Sequence, residues 1–349
     1  MVKQRVLAAI AAMLVLGCSQ GGGAVTVATV GDATEGPAST TAITTADNAD
    51  QANPTATTAD VPENRSVTLA AVGDVMLARS IGQLVLDEGA MAVFQGVREE
   101  LLDADITFAN VESAISDRGA PAQKGYTFEA PPETIAALVD AGIDIVAQAN
   151  NHALDFGPTA LLDTRARLEG AGIAVAGSGN NEAEARRPAL LERWGVTFAF
   201  LAYVDTAAEG SYSQANWDAT DERPGVAWAS IEEIVADVTS ATAVADVVVV
   251  SLHVGVEYST TPSDLQRMYA EAAIDAGASL VLGHHAHVLQ PVEEYNGGLI
   301  AYSLGNFVFD GFDGSSNVTA ILRVTFEEGQ VSDWGLIPVS IAGGVPILD

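Results

Sequence analysis

The chain has 349 residues and a formal net charge of −31, from 46 acidic and 15 basic side chains. That excess of carboxylates excludes nucleic acid as a partner and attachment to anionic lipid through surface charge, because phosphate neutralisation needs Lys and Arg. With 48% hydrophobic residues and a single cysteine, Cys18, the chain is expected to be globular, with neither an internal disulfide framework nor a cysteine-rich zinc finger.

The N-terminus reads as an address. Lys3 and Arg5 precede an apolar run, Val6–Leu16, followed by Gly17-Cys18. The run is too short to span a bilayer comfortably but fits the core of a secretory signal. Leu14-Val15-Leu16-Gly17-Cys18 resembles a bacterial lipoprotein box, which implies cleavage before Cys18 and lipidation of its thiol. The plainer reading is an ordinary signal peptide with an incidental cysteine. Residues 19–65 are mostly Gly, Ala, Thr, Ser, Asp, Asn and Pro. Such a segment cannot bury enough surface to offset its chain entropy, so it is expected to be a disordered tether. The expected domains are therefore 1–18 as signal and lipidation site, 19–65 as tether and 66–349 as the folded domain.

From Ser66 the pattern changes. "SVTLAAVGDVML" reads as a buried strand ending at Gly73-Asp74. Helical spacing runs through Ile81–Leu86 and Val93–Leu102. "DITFANVES" is a second strand, and "PPETIAALVDAG" is a helix with Pro at its start and Gly142 at its end. "IDIVAQANNH" is a third strand. Helix "GPTALLDTRARLEGAG" and strand "IAVAGSG" follow. "VTFAFLAYVD", "ADVVVVSLHVG", "ASLVLGHHAH" and "GLIAYSLGNFVF" are later strands, with helices at 231–240 and 263–277 among them. The C-terminal stretch reads as a hairpin about Glu328-Gly329. Alternating strands and helices predict an α/β layered fold with mixed sheets, and the continuously apolar strands predict sheets covered on both faces.

The candidate chemistry stands at the predicted strand ends. Asp74 ends the first strand, Asn110 and Glu112 the second, and Asn150, Asn151 and His152 the third. His253 ends "VVVVSL", and His284, His285 and His287 follow "SLVLG". Ligands of open α/β sheets bind outside the carboxyl ends of strands. Each feature has a bland reading: a turn for Asp74, a helix cap for Glu112, a loop for Asn150–His152, a satisfied core histidine for His253. Taken together they predict a metal site. Carboxylate and amide oxygens mixed with imidazoles suit Mn, Fe or Zn better than Ca or Mg. An extended backbone at His285-Ala286-His287 would set both rings on one side. Asp74, Glu112, Asn151, His253, His285 and His287 are enough ligands for two divalent ions sharing a bridge, roughly 3.5–4 Å apart.

The order of "GDVML", "NVE", "QANNHALDFG", "LHVGVEY", "GHHAHVLQ" and "YSLGNFVFD" resembles the CapA family of capsule and poly-γ-glutamate synthesis proteins, a branch of the calcineurin-like metallophosphoesterases. The similarity runs from about Thr68 to Phe309. It implies a four-layer α/β/β/α sandwich with a dinuclear centre. By this resemblance Asp74, Glu112, Asn151, His253, His285 and His287 are metal ligands, with His284 as an alternative member of the His-x-His pair, and His152 protonates the leaving group. Asn110 falls near the bridging position. Glu257, Tyr258 and Asn306 resemble further residues lining the site, although "SLGNF" also reads as a turn. Met76 stands where ordinary phosphoesterases carry a histidine ligand.

Two functions follow as expectations. The first is a membrane-anchored, extracytoplasmic hydrolase of a phosphoester or amide bond in an extracellular polymer, with a metal-bound hydroxide as nucleophile and His152 as general acid. The second is a non-catalytic, polymer-binding accessory subunit of an exopolymer synthesis or export complex.

Overall fold

The computed structural model describes residues 66–349. Cys18, the expected signal and the expected tether lie outside the described residues. Among those residues no helix is long and apolar enough to cross a membrane.

Four parallel strands open the described chain: β1 (Ser66–Val75), β2 (Ile106–Val111), β3 (Ile145–Ala147) and β4 (Ala174–Ala176), side by side in that order. Helices α1 (Arg79–Glu88), α2 (Met91–Phe94), α3 (Arg98–Leu102), α4 (Ile135–Asp140) and α5 (Gly157–Gly170) connect them. The next block makes a separate sheet from β5 (Ala189–Arg193), β6 (Val196–Asp205), β7 (Val247–Val254), β8 (Leu280–His284), β9 (Val292–Tyr295) and β10 (Gly298–Ala301). Its order is β9-β10-β8-β7-β6-β5, with α6 (Ile231–Ala241) and α7 (Asp264–Asp275) as crossovers. The chain then returns to the first sheet through β11 (Asn306–Val308), β12 (Val318–Glu327), β13 (Gln330–Ala342) and β14 (Val345–Leu348). Strand β12 lies antiparallel to β1, and β11 runs parallel beside the end of β1.

Strand periodicity sorts the side chains into three cores. Val67, Leu69 and Ala71 of β1 and Phe108 of β2 face Phe198, Phe200, Val249 and Leu282 of the other sheet. Ala70 and Val72, one residue out of phase, face the first helical layer with Phe94, Leu101, Leu138 and Leu168. Val248 and Val250 of β7 face Ile234 and Val238 of α6 and Ala270 and Ala273 of α7. Both faces of each sheet are buried, which explains the unbroken apolar runs. The layers are helix, sheet, sheet, helix, as the fold expectation has it. Local signals set the crossover helices: the Ser230 side chain caps α6, and Ser263 with Gln266 forms a capping box on α7.

Three predicted elements are corrected. The single helix over Val93–Leu102 is two, because the backbone of Gly96 bridges to Ile347 beside β14, and a Cβ on Gly96 would lie 2.6 Å from the Pro346 carbonyl oxygen. The third strand stops at Ala147, so Asn150–His152 sit in a turn. "GLIAYSLGNFVF" is two strands in different sheets, β10 and β11.

Candidate metal centre

The carboxyl ends of β1, β2, β3, β7 and β8 meet at one edge of the sandwich. Asp74 is fully buried at the end of β1. Its Oδ1 accepts from the Asn110 amide at 2.8 Å and lies 3.2 Å from His284 Nδ1. Its Oδ2 lies 3.5 Å from His287 Nδ1 and accepts from the backbone N–H of His285 at 3.3 Å. His253 follows from β7: Nε2 donates to Asn151 Oδ1 at 2.9 Å and stands 3.8 Å from Glu112 Oε1, while Nδ1 is 3.2 Å from the Asn110 amide. The rings of His253 and His285 have centroids 4.9 Å apart, and those of His285 and His287 6.0 Å. Asp74, Glu112, Asn151, His253, His285 and His287 are thus brought together from five strand ends.

The presentation of the histidine pair differs from expectation. The backbone is not extended: His285 and His287 have φ of +82° and +56°. The chain turns through the left-handed region at both, a strained choice for side-chain-bearing residues. The Asn306 side-chain oxygen accepts from His287 Nδ1 at 2.8 Å, and the Asn306 amide donates to the Ser316 carbonyl at 3.1 Å. Asn306 therefore fixes the ring of His287.

Several candidates take supporting places. Asn150 donates to Asn110 Oδ1 and to the Val111 carbonyl and accepts from the His152 N–H, so it ties the turn to β2. His284 lies between the sheets, its ring 5.8 Å from that of Phe108, and backs Asp74 without lining the cleft. Met76 packs in the helix-side core and lends the centre no atom. Glu112 caps no helix: both its carboxylate oxygens are buried without a hydrogen-bond partner.

His152 is held on every side. Its Nδ1 donates to Asp155 Oδ2 at 2.6 Å, which leaves Nε2 on the Glu112 side, 3.9 Å from Oε1. Phe128 stacks on the ring at 4.1 Å and gives its backbone N–H to the same Asp155 oxygen. Lys124, one of two lysines in the chain, is buried against Asp155 Oδ1 at 2.8 Å and donates to the Asn151 carbonyl at 2.6 Å. Asp155 and Lys124 were not among the sequence candidates. The signals were present, as a carboxylate three residues after His152 and a lone lysine within the domain, but neither residue stands at a strand end.

Electrostatics separate the acids. Burial works to raise Asp74, but the hydrogen bond and charge of His284, with the nearby His253 and His287, hold it below the usual carboxylate range. Burial, then the Asp74 charge, push Glu112 well above that range. Burial lowers His152, and burial with neighbouring imidazoles lowers His253 strongly and His285 to about 3. Neutral imidazoles are the form that ligates metals. Ligand atoms of Asp74, Glu112 and His253 fall within 4.8 Å of one another, and so do those of Glu257, His285 and His287. The residues present fit a cation: an unpartnered buried carboxylate, neutral histidines and a mixed N/O donor set. Beside them opens a cleft of about 870 Å³ lined by His152, His285, His287, Tyr126, Tyr258 and Phe312, among others.

The model of the bacterial capsule synthesis protein family PGA_cap matches residues 68–311. The chain is 32% identical over 278 residues to the PGA biosynthesis protein CapA of Bacillus subtilis, covering 79% of this chain and 72% of that protein. It is 31% identical over 292 residues to the capsule biosynthesis protein CapA of Bacillus anthracis, covering 81% and 70%. Among solved structures, a hypothetical protein from Thermus thermophilus shares the fold, with a TM-score of 0.51 at 18% identity over 78% of this chain and 98% of that one. The chain belongs to the bacterial capsule synthesis protein family PGA_cap.

Proposed function

We propose that this protein is a metal-dependent hydrolase of a phosphoester or amide bond in an extracellular capsule-type polymer. Glu112 carries the reading. A carboxylate buried beside Asp74 with both oxygens unpartnered costs stability unless a cation joins it. Asp74, Glu112, Asn151, His253, His285 and His287 would hold one or two divalent ions, of Mn, Fe or Zn. Such ions supply Lewis-acid charge and lower a water's pKa from ~15.7 towards ~7.

The chain's own residues complete the chemistry. Asp155 accepts the Nδ1–H of His152, so Nε2 is the ring atom left on the Glu112 side; it takes up a proton there, and as the imidazolium that Asp155 stabilises it gives that proton to a leaving group. Phe128 and the Lys124–Asp155 pair exclude water behind the ring and hold its orientation. Asn110 and His284 orient Asp74, and Asn306 orients His287.

The test is metal analysis of the purified chain with a hydrolysis screen of phosphodiesters and γ-glutamyl polymers. Loss of a general acid costs typically ~10²–10⁴-fold in rate. His152→Ala is expected to lower turnover by that factor at full metal content, while His285→Ala loses metal. Wild-type turnover by His152→Ala would remove His152 from the chemistry.

A second reading, a non-catalytic polymer-binding subunit of an exopolymer synthesis complex, is favoured by Met76, which offers no ligand where a histidine is usual. Full metal content with no polymer or phosphodiester cleaved by the wild type would select it. In either reading we place the protein outside the cytoplasm, anchored to the membrane through a lipid on Cys18. Cys18→Ser is then expected to move the protein from the membrane fraction to the soluble one, and continued membrane attachment would refute the anchor.

A further inference from the structure

We propose that the Glu257 carboxylate is itself a metal ligand, closing a second cation position with His285 and His287. The inference rests on the metal-centre reading above. It concerns a residue that the sequence places only along the wall of the site.

The two trios of ligand atoms are distinct. Asp74, Glu112 and His253 are wholly buried between the sheets, whereas His285, His287 and the exposed Glu257 stand at the cleft. Met76 leaves the chain one histidine short of the usual set, because its side chain points into the helix-side core. The inner trio can serve one ion without it. An outer ion held by His285 and His287 alone would have two nitrogen ligands and no charge to balance it. Glu257 supplies both the third ligand and the negative charge. A set of two imidazoles and one carboxylate matches Zn, Mn or Fe(II), not the oxygen-seeking Ca or Mg.

Backbone geometry shows that the placement is built. Glu257 lies on the loop after β7. The next residue, Tyr258, gives its N–H to the carbonyl of Ala286 at 2.8 Å. That bond ties the loop to the turn that carries both histidines, with Ala286 midway between them. Tyr258, His285 and His287 all have positive φ, at +64°, +82° and +56°. Left-handed non-glycine residues are strained and gather where a site over-determines the chain. Here three lie within one patch, around one carboxylate and two imidazoles. Nδ1 of His285 is buried with no hydrogen-bond partner. His287 is braced from behind by Asn306, which leaves its other nitrogen free to face an ion.

The experiment uses the purified full chain, stripped with a chelator and titrated with Zn or Mn, reading stoichiometry by calorimetry and elemental analysis. The wild type is expected to take two equivalents. Glu257→Ala and Glu257→Gln are expected to keep one at wild-type affinity and to weaken the other by at least ~10–100-fold, the loss that follows even when a residue behind a ligand is removed. Hydrogen exchange supplies a second readout. Metal should protect the amides of residues 255–258 in the wild type and not in Glu257→Ala. Because Glu257 is exposed, both variants should fold, and melting of the chelated proteins checks that. If both variants bind two equivalents with wild-type affinity, Glu257 is no ligand and the inference falls while the metal centre stands. If the wild type itself takes up no metal, the metal centre falls first and the inference with it.

Discussion

At the scale of single residues, the buried, unpartnered Glu112 weighs against stability. In the unfolded chain its carboxyl titrates near the ordinary 4.5, whereas in the fold burial and Asp74 hold the proton on well above that. A group with a raised folded pKa contributes fully below its unfolded value and loses that contribution as pH rises through the window up to the folded value. Metal-free protein should therefore lose stability from Glu112 as pH rises above about 4.5. His285 acts in the opposite sense. Its folded value is pushed down to about 3, so below ~6.5 the unfolded state takes up a proton that the fold refuses, and stability falls with pH towards 3. Glu112→Gln removes the titrating group and keeps the shape. In chelator at pH 7 it should raise stability by about 1–3 kcal/mol, because the amide is neutral without the proton uptake the fold demands of Glu112, which costs about 1.4 kcal/mol per pH unit above the unfolded value. At roughly 2–4 °C per kcal/mol for a domain of this class, the melting point should rise by several degrees. If the centre holds a cation as proposed, added Zn or Mn should stabilise the wild type and the same variant should lose that gain. A chelated Glu112→Gln protein that melts below the chelated wild type would show that Glu112 has partners in the fold and is not held for a cation.

At the scale of elements, most of the fold was legible because burial on both sheet faces writes long apolar strands and because Ser, Pro and Gly mark helix ends. The gathering of the histidines at one edge was legible for the same reason: a polar residue after "VVVVSL" or "SLVLG" stands at a strand end, where the structure brings His253, His285 and His287 together. What escaped reading depends on partners distant in sequence. "GLIAYSLGNFVF" has no local break that would send its halves to different sheets. The break is made by β1, whose Asp74 N–H donates to the Gly305 carbonyl at 2.9 Å. Gly73 allows that approach, since a Cβ there would lie 2.0 Å from the Gly305 oxygen. Gly305 takes φ of +69° to complete the crossing. The crossing sets Asn306 beside Asp74 in register and so within reach of His287. The turn at His285 and His287 escaped for a related reason. Left-handed backbone is not written in His-Ala-His; it occurs where partners distant in sequence hold the turn, Tyr258 at the Ala286 carbonyl, Asp74 at the His285 N–H and Asn306 at the His287 ring. Asp155 and Lys124 act behind His152, and residues that act behind others leave only a spacing or a count in the sequence.

At the scale of the whole molecule, negative charge is what the fold leaves uncompensated. The chain carries −31 formal charges and two lysines, one of which, Lys124, is buried in an ion pair. Its arginines are largely spent on local pairs. Arg186 meets Glu182, Glu233 and Asp237, Arg167 meets Asp117 and Asp163, and Arg323 meets Glu100 and Asp103. Each surface pair is worth only about 0–1 kcal/mol, so these contacts do not offset the repulsion among the remaining carboxylates. That repulsion opposes the compact state and is screened by salt, over ~10 Å at 0.1 M and ~3 Å at 1 M. Added salt weakens the arginine pairs as well, but they are few beside the excess of acids. The melting temperature of the protein is therefore expected to rise by several degrees as NaCl goes from about 50 mM to about 1 M, a gain on the order of 1–2 kcal/mol. KCl should act alike, since screening does not depend on which monovalent cation supplies it. Acidification to about pH 5 leaves the surface carboxylates ionised and should preserve the salt effect. A melting temperature that is flat or falling with salt would mean that the arginine pairs, and not the excess of acids, set the stability of this fold.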